Sequence, residues 1–123
     1  MGAITRFEDI VAWQEARELT KGVYGITGQG LFAKDFGLRE QVQRASVSAM
    51  SNVAEGFDCE SPAEFRRFLG IARRSAVEVQ SLLYVALDAA YIDLMTFEHQ
   101  YEQARKTKAL IGGFMKRLSR PAP

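Results

Sequence analysis

The sequence predicts an all-α protein, a single antiparallel up-down four-helix bundle over residues 1–123. Three observations carry this. Apolar residues recur at steps of three and four in four separate segments, the spacing of an amphipathic helix. No segment alternates apolar and polar residues for long enough to read as a strand. Of the three prolines, Pro121 and Pro123 stand in the last three residues and Pro62 sits where a helix can begin, so nothing breaks the body of the chain. A domain of 123 residues buries roughly two thirds of its unfolded surface, enough to fold without metal or disulfide. Short connections between four one-faced helices favour antiparallel packing around a shared core. The main competitor is a three-helix hairpin with the first helix detached. Trp13 on an apolar face argues against it.

The first helix is expected over residues 8–27. Ala16, Leu19, Val23 and Ile26 form one stripe, Trp13 precedes them, and Glu8, Asp9 and Glu15 favour the N-terminal half through the helix dipole. Gly25, Gly28 and Gly30 end it. The second helix is expected over residues 36–57, with Leu38, Val42, Ala45, Ala49 and Val53 on its apolar stripe. Its many small residues (Ala45, Ser46, Ser48, Ala49, Ser51, Ala54) admit a close neighbour, and Gly56 is a plausible stop.

The third helix, residues 62–90, is the clearest. Ser61 is an N-cap, Pro62 takes the first helical position and Glu64 completes a capping box. Phe65, Leu69, Ala72, Ala76, Val79, Leu83, Ala86 and Ala90 then form an unbroken heptad seam. The fourth helix, residues 94–119, follows Asp93 as N-cap. Phe97, Tyr101, Ala104, Ile111, Met115 and Leu118 make its seam, interrupted by Lys108. Gly112-Gly113 costs on the order of 1 kcal/mol per glycine inside a helix and marks either close packing or local fraying.

Composition excludes several function classes. Cys59, the one cysteine, cannot form an intramolecular disulfide, and Met1 to Asp9 carries no charged-then-apolar leader, so a cytoplasmic location is expected. No run of 18 apolar residues occurs, so no membrane span is expected. His99 is the one histidine. Although Glu98 and Glu102 flank it, a di-metal bundle site needs histidines and carboxylates from several helices, so a solvated surface histidine is the better reading. Asp58 and Glu60 beside Cys59 disfavour its thiolate and any nucleophilic role. The glycines at 25, 28 and 30 follow a helix rather than a strand, so they form neither a dinucleotide fingerprint nor a phosphate loop. No cofactor, metal or catalytic set is expected. Arg44, Asn52, Glu55 and Glu78 could serve acid–base chemistry, but a structural polar network fixing helix register accounts for them better.

Charge and surplus apolar surface carry the functional expectation. Residues 1–60 hold six Lys/Arg against nine Asp/Glu, and residues 61–123 hold ten against six. Arg66, Arg73 and Arg74, at i, i+7 and i+8, are expected on one helix face. With Arg105, Lys106 and Lys116 of the fourth helix they would make a basic stripe able to meet phosphates, against the plainer alternative of a solvated face with intrahelical ion pairs. The third helix is also apolar over more than half its girth. Ile71, Val77, Tyr84 and Val85 exceed what one bundle core uses, which points to self-association.

Several blocks carry a family resemblance. They are Phe7-Glu8-Asp9-Ile10 with Trp13-Gln14 and Ala16; Phe36-Gly37-Leu38-Arg39 with Gln41, Arg44-Ala45 and Ser48; and Ser51 to Phe57. Glu64-Phe65, Phe68-Leu69, Ala72, Ser75 and Glu78 continue them, with a weaker extension to Tyr91-Ile92 and the fourth helix. Together they resemble the bacterial four-helix-bundle family, also called intervening-sequence proteins after reading frames in insertions within 23S ribosomal RNA genes. The resemblance implies a ring-like homopentamer of unsettled role. A related group, the accessory variability determinants of diversity-generating retroelements, implies RNA, DNA or a nucleic-acid enzyme as partner. This chain is nearly neutral, at net +1, where those relatives are markedly basic.

Overall fold

The structure is a computed structural model that describes residues 3–119. Four helices, α1 (Val11–Thr27), α2 (Phe36–Phe57), α3 (Pro62–Asp88) and α4 (Leu94–Leu118), account for most of the described residues, and no strand occurs among them. Each helix packs on its sequence neighbours, and α4 returns to α1 to close the fourth side of the bundle. The packing is antiparallel. Late α1 meets early α2 (Thr27 with Gln43), late α2 meets early α3 (Gly56 with Phe65), and late α3 meets early α4 (Tyr84 with Phe97). The first helix is not detached, since Leu19 and Val23 are fully buried in the common core.

The helix ends follow local chemistry. Asp35, Ser61 and Asp93 each accept a backbone N–H three residues on, from Leu38 (3.1 Å), Glu64 (3.1 Å) and Thr96 (2.8 Å). Ser61 and Asp93 were legible as caps, whereas Asp35 was hidden among the loop residues before Phe36. The first helix begins at Val11, not at residue 8. Phe7–Asp9 form a single 3-10 turn, and Ile10 takes an extended conformation that buries its side chain while Phe7 packs edge-to-face on Trp13 at 5.1 Å. The third helix stops at Asp88, before Ala90 on the expected seam. Ala90 has φ 62°, and the Tyr91 and Ala90 N–H groups bond back to the Ala86 and Leu87 carbonyls. This is a Schellman ending with alanine where glycine is usual. It aims Tyr91 at the other connection, where its hydroxyl donates to Asp35 Oδ2 (2.9 Å) and its ring meets Phe32 (5.4 Å).

The core has two apolar ends. One holds Leu19, Val23, Phe32, Val42, Val79, Leu83 and Phe97, and the other holds Ile10, Val53, Phe65, Leu69 and Ile111. Between them is a waist of small residues, with Ala16, Ala49, Ala76 and Thr107 fully buried. The hydroxyl of Thr20 bridges α1 and α2 here, 2.9 Å from the Ala16 carbonyl and 3.0 Å from that of Ser46. Across α2 and α3 a polar chain runs from Asn52 Nδ2 to Ser48 Oγ (3.0 Å), from Ser48 to Ser75 (2.8 Å) and from Ser75 to the Ile71 carbonyl (3.0 Å).

Candidate functional site

The groove between α3 and the C-terminal half of α4 is the candidate site. Gly70 on α3 and Gly112 and Gly113 on α4 thin its walls. A Cβ at Gly70 would reach only the Met115 tip (3.9 Å), one at Gly112 would lie 4.0 Å from Arg73 Nε, and one at Gly113 would meet nothing within 4 Å. The glycine pair thus marks neither a tight helix contact nor fraying, because α4 continues unbroken to Leu118. The open groove has a volume of about 690 Å³, and Arg73, Lys108 and Lys116 line it with no carboxylate among the described residues. Arg66 stands at its end, donating to the Leu118 carbonyl (3.3 Å) and so capping the C-terminus of α4. Among the described residues none of these four cations has a carboxylate oxygen within 4.0 Å.

The six basic residues expected on one stripe divide into two sets. Arg66 and Arg73 share the α4-facing side of α3, and Lys116 faces them. Arg74 follows Arg73 by one residue, about 100° around the helix, and points away from the groove. Arg105 is held by Glu102, one turn away on α4. That bond holds the Glu102 carboxyl below its usual range and raises the Arg105 guanidinium. Lys106 faces α1 instead, 3.3 Å from Glu15. The Gln103 amide donates to the same carboxylate (2.9 Å) and lowers its pKa, helped by Lys106 against the opposing effect of burial. Lys108, which interrupts the α4 seam and follows Arg105-Lys106 in a basic cluster, belongs to the groove. The clue was available, since a cation on the seam one turn before two glycines has space to leave the core.

The four residues of the expected polar network do not form one. Arg44, Glu55 and Glu78 are exposed. Arg44 and Glu78 line a shared α2–α3 groove without an ion pair, and Glu55 lines a different groove beside Phe7, Phe57 and Phe68. Asn52 alone takes part in the interhelical polar chain. The surplus apolar residues also part company. Val77 (43% exposed) and Tyr84 (50%) stand seven residues apart on the α4 side, with Tyr84 packed on Phe97 (4.8 Å) and Tyr101 (5.8 Å). Val85 (49%) points outward, and Ile71 is half-buried toward α2. No group of three His, Cys, Asp or Glu residues able to hold a metal occurs among the described residues. His99 is exposed, and Cys59 is half-buried with its Sγ 3.5 Å from the Glu55 carbonyl. No helix of the described residues is long and apolar enough to cross a membrane.

Residues 8–113 match the family described as 23S rRNA-intervening sequence protein. The chain belongs to that family. A solved structure from Bacteroides thetaiotaomicron, a protein of unknown function from the S23 ribosomal protein family, is similar to it with a TM-score of 0.78 and 21% identity over 85% of this chain and 98% of the other. At that identity the likeness speaks for the fold of the family member and not for its role. No curated protein matches the chain. The matched segment contains most of the groove, including Arg66, Arg73, Lys108 and the glycine pair, but ends before Lys116.

Proposed function

We propose that this intervening-sequence protein is a non-enzymatic, cytoplasmic binding or scaffold module that works as a homo-oligomer and holds nucleic-acid phosphates along the α3–α4 groove. One observation carries the reading. Arg73, Lys108 and Lys116 line one glycine-thinned groove with Arg66 at its end, and no carboxylate among the described residues neutralises them. Unpaired cations brought together attract a polyanion and release its counterions, which is the main source of sequence-independent nucleic-acid affinity. The family name, which refers to an insertion in a ribosomal RNA gene, agrees with such a partner, and so does the resemblance to the retroelement accessory proteins. Fluorescence anisotropy with labelled RNA and DNA across a salt series tests it. Binding that weakens steeply with salt supports the proposal, and no binding at the lowest salt sinks it.

Assembly is part of the proposal, with the pentamer implied by the family resemblance as the expected form. Val77, Tyr84 and Val85 leave large apolar side chains exposed along α3, which a partner copy would cover. Sedimentation velocity should give a discrete multiple of the 13.8 kDa chain, and a stable monomer at micromolar concentration refutes it. The same residues favour a second reading, a protein-interaction oligomer with no nucleic-acid role. A pull-down whose protein partners survive nuclease treatment, together with absent nucleic-acid binding, would select that reading.

A further inference from the structure

The composition of the groove says which nucleic acid it fits. We infer that it seats the sugar-phosphate backbone of one strand of a duplex and reads no bases, so that the protein prefers double-stranded over single-stranded nucleic acid and ignores sequence. This rests on the proposed nucleic-acid role and goes beyond it. Proteins that hold single strands add aromatic side chains to a basic channel, because each stacked base contributes about 1–3 kcal/mol. Here no aromatic residue lines the groove. Between and beside the cations lie Ala109, Gly112, Gly113, Met115 and Ser119; none of them can stack on a base, and the Ser119 hydroxyl is already donated to the Met115 carbonyl (3.0 Å). Phe114, the nearest aromatic in sequence, is turned inward against Phe65 at 5.4 Å. The floor therefore offers a base no stacking surface and no free side-chain donor. A strand lying here turns its phosphates to the walls and its bases outward, where in a duplex they are already paired.

The spacing and charge agree. Arg66 and Arg73 are seven residues apart on α3, about 10.5 Å along the axis, and Lys108 and Lys116 are eight apart on α4, about 12 Å. Each wall is thus long enough for both of its cations to meet phosphates of one strand. The duplex also offers the higher charge density. Four contacts give a slope of log K on log salt of about −3.6 on B-form DNA, against about −2.8 on a single strand. At low salt, electrostatics alone therefore favours the duplex, and no stacking offsets it.

The test uses the full chain, with two 20-base-pair duplexes of unrelated sequence and their separated strands as probes. Anisotropy is read from 50 to 300 mM salt. The two duplexes should bind within about twofold of each other and more tightly than any of the strands, with a salt slope near −3.6 that falls by about 1.8 in R73A/K116A. G112L, which fills the floor and leaves every charge in place, should weaken duplex binding while circular dichroism shows an unchanged fold. A tighter single-strand complex overturns the inference and leaves the nucleic-acid role standing. So does a difference of more than about tenfold between the duplexes, the scale of a base-specific contact worth about 1–3 kcal/mol. Competition by polyglutamate as effective as that by duplex overturns it in favour of an acidic protein segment. Absence of all polynucleotide binding at 50 mM salt removes both the inference and the role beneath it.

Discussion

Replacing Gly56 by alanine tests how closely α2 and α3 approach. A Cβ built on Gly56 would stand 2.8 Å from Phe65 Cδ1 and 2.8 Å from Phe68 Cβ. The Phe68 atom is fixed to the α3 backbone and cannot rotate away, so the helices must part by several tenths of an ångström. Overpacking of this kind costs about 1–3 kcal/mol. Against it stands the helix preference for alanine over glycine, at most about 1 kcal/mol. The net expectation is a loss of up to about 2 kcal/mol. Gly25 supplies the opposite case, since it is exposed in α1 and a Cβ there meets nothing within 4 Å. There the propensity gain of about 0.5–1 kcal/mol stands alone. The two variants should therefore differ by the overpacking cost, about 1–3 kcal/mol, or roughly 4–15 °C in Tm for a chain of this size. Gly22 is a useful intermediate. The three atoms nearest its Cβ would all belong to the Gln100 amide, which can swing toward the adjoining surface groove. Because the buried Gln100 Oε1 has no hydrogen-bond partner, moving it toward water offsets the disturbance, and G22A should lie near wild type. Guanidinium unfolding followed by circular dichroism, at fixed protein concentration, gives all three values. If G56A is as stable as G25A, the close approach of α2 and α3 is wrong.

Three further outcomes are expected. A90G should stabilise the fold by about 0.5–1 kcal/mol, because it relieves a left-handed alanine at some cost in unfolded-chain entropy, and a lower Tm would contradict the Schellman ending. Glu15 should matter by pH. Its folded carboxyl titrates below the ordinary 4.5, so its contribution is full above that value and is lost as pH falls through the folded value. The stability gap between wild type and E15Q should then be full at pH 7 and shrink steadily below 4.5 in urea titrations, and a gap independent of pH refutes the assignment. S75A should cost about 1 kcal/mol by cutting the polar chain across α2 and α3, and S48A/S75A should cost less than the two single variants added together. Strictly additive losses would show that the chain does not act as a unit.

Seams were legible in the sequence because burial repeats with the helix period. Leu38, Val42, Ala45, Ala49 and Val53 are all buried, as are Phe65 through Ala86 at the heptad positions. The N-cap residues Ser61 and Asp93 bracket α3 and open α4 where their chemistry demands. Facts set by two helices at once were not legible. Arg74 and Arg73 look equivalent in a linear stripe but diverge by a quarter turn and more once α4 is in place. Glu78 looked inward on a mostly apolar helix, yet small residues on α2 let the serines close the interface and leave the carboxylate outside. Gln100 and Thr107 are buried on α4 although no apolar pattern could nominate them. Gln100 enters because Gly22 leaves it room, and Thr107 because its hydroxyl donates to the Gln103 carbonyl (2.8 Å) of its own helix. The groove itself needed both walls. Its cations come from residues as far apart as Arg66 and Lys116, and only the antiparallel return of α4 brings them together.

The waist of alanines has a consequence for how this chain can vary. At the two ends of the bundle, Leu, Ile, Val and Phe fill space that other large side chains can fill with modest repacking. Ala16, Ala49 and Ala76 have no exposed surface, so an added methylene there must be forced into a close-packed interior. The middle of the molecule therefore acts as a gauge that sets the distance between helices, and the ends inherit that distance. Substitutions should be accepted freely toward either end and rejected at the centre, so the least conspicuous side chains in the sequence are the ones that hold the width of the α3–α4 groove.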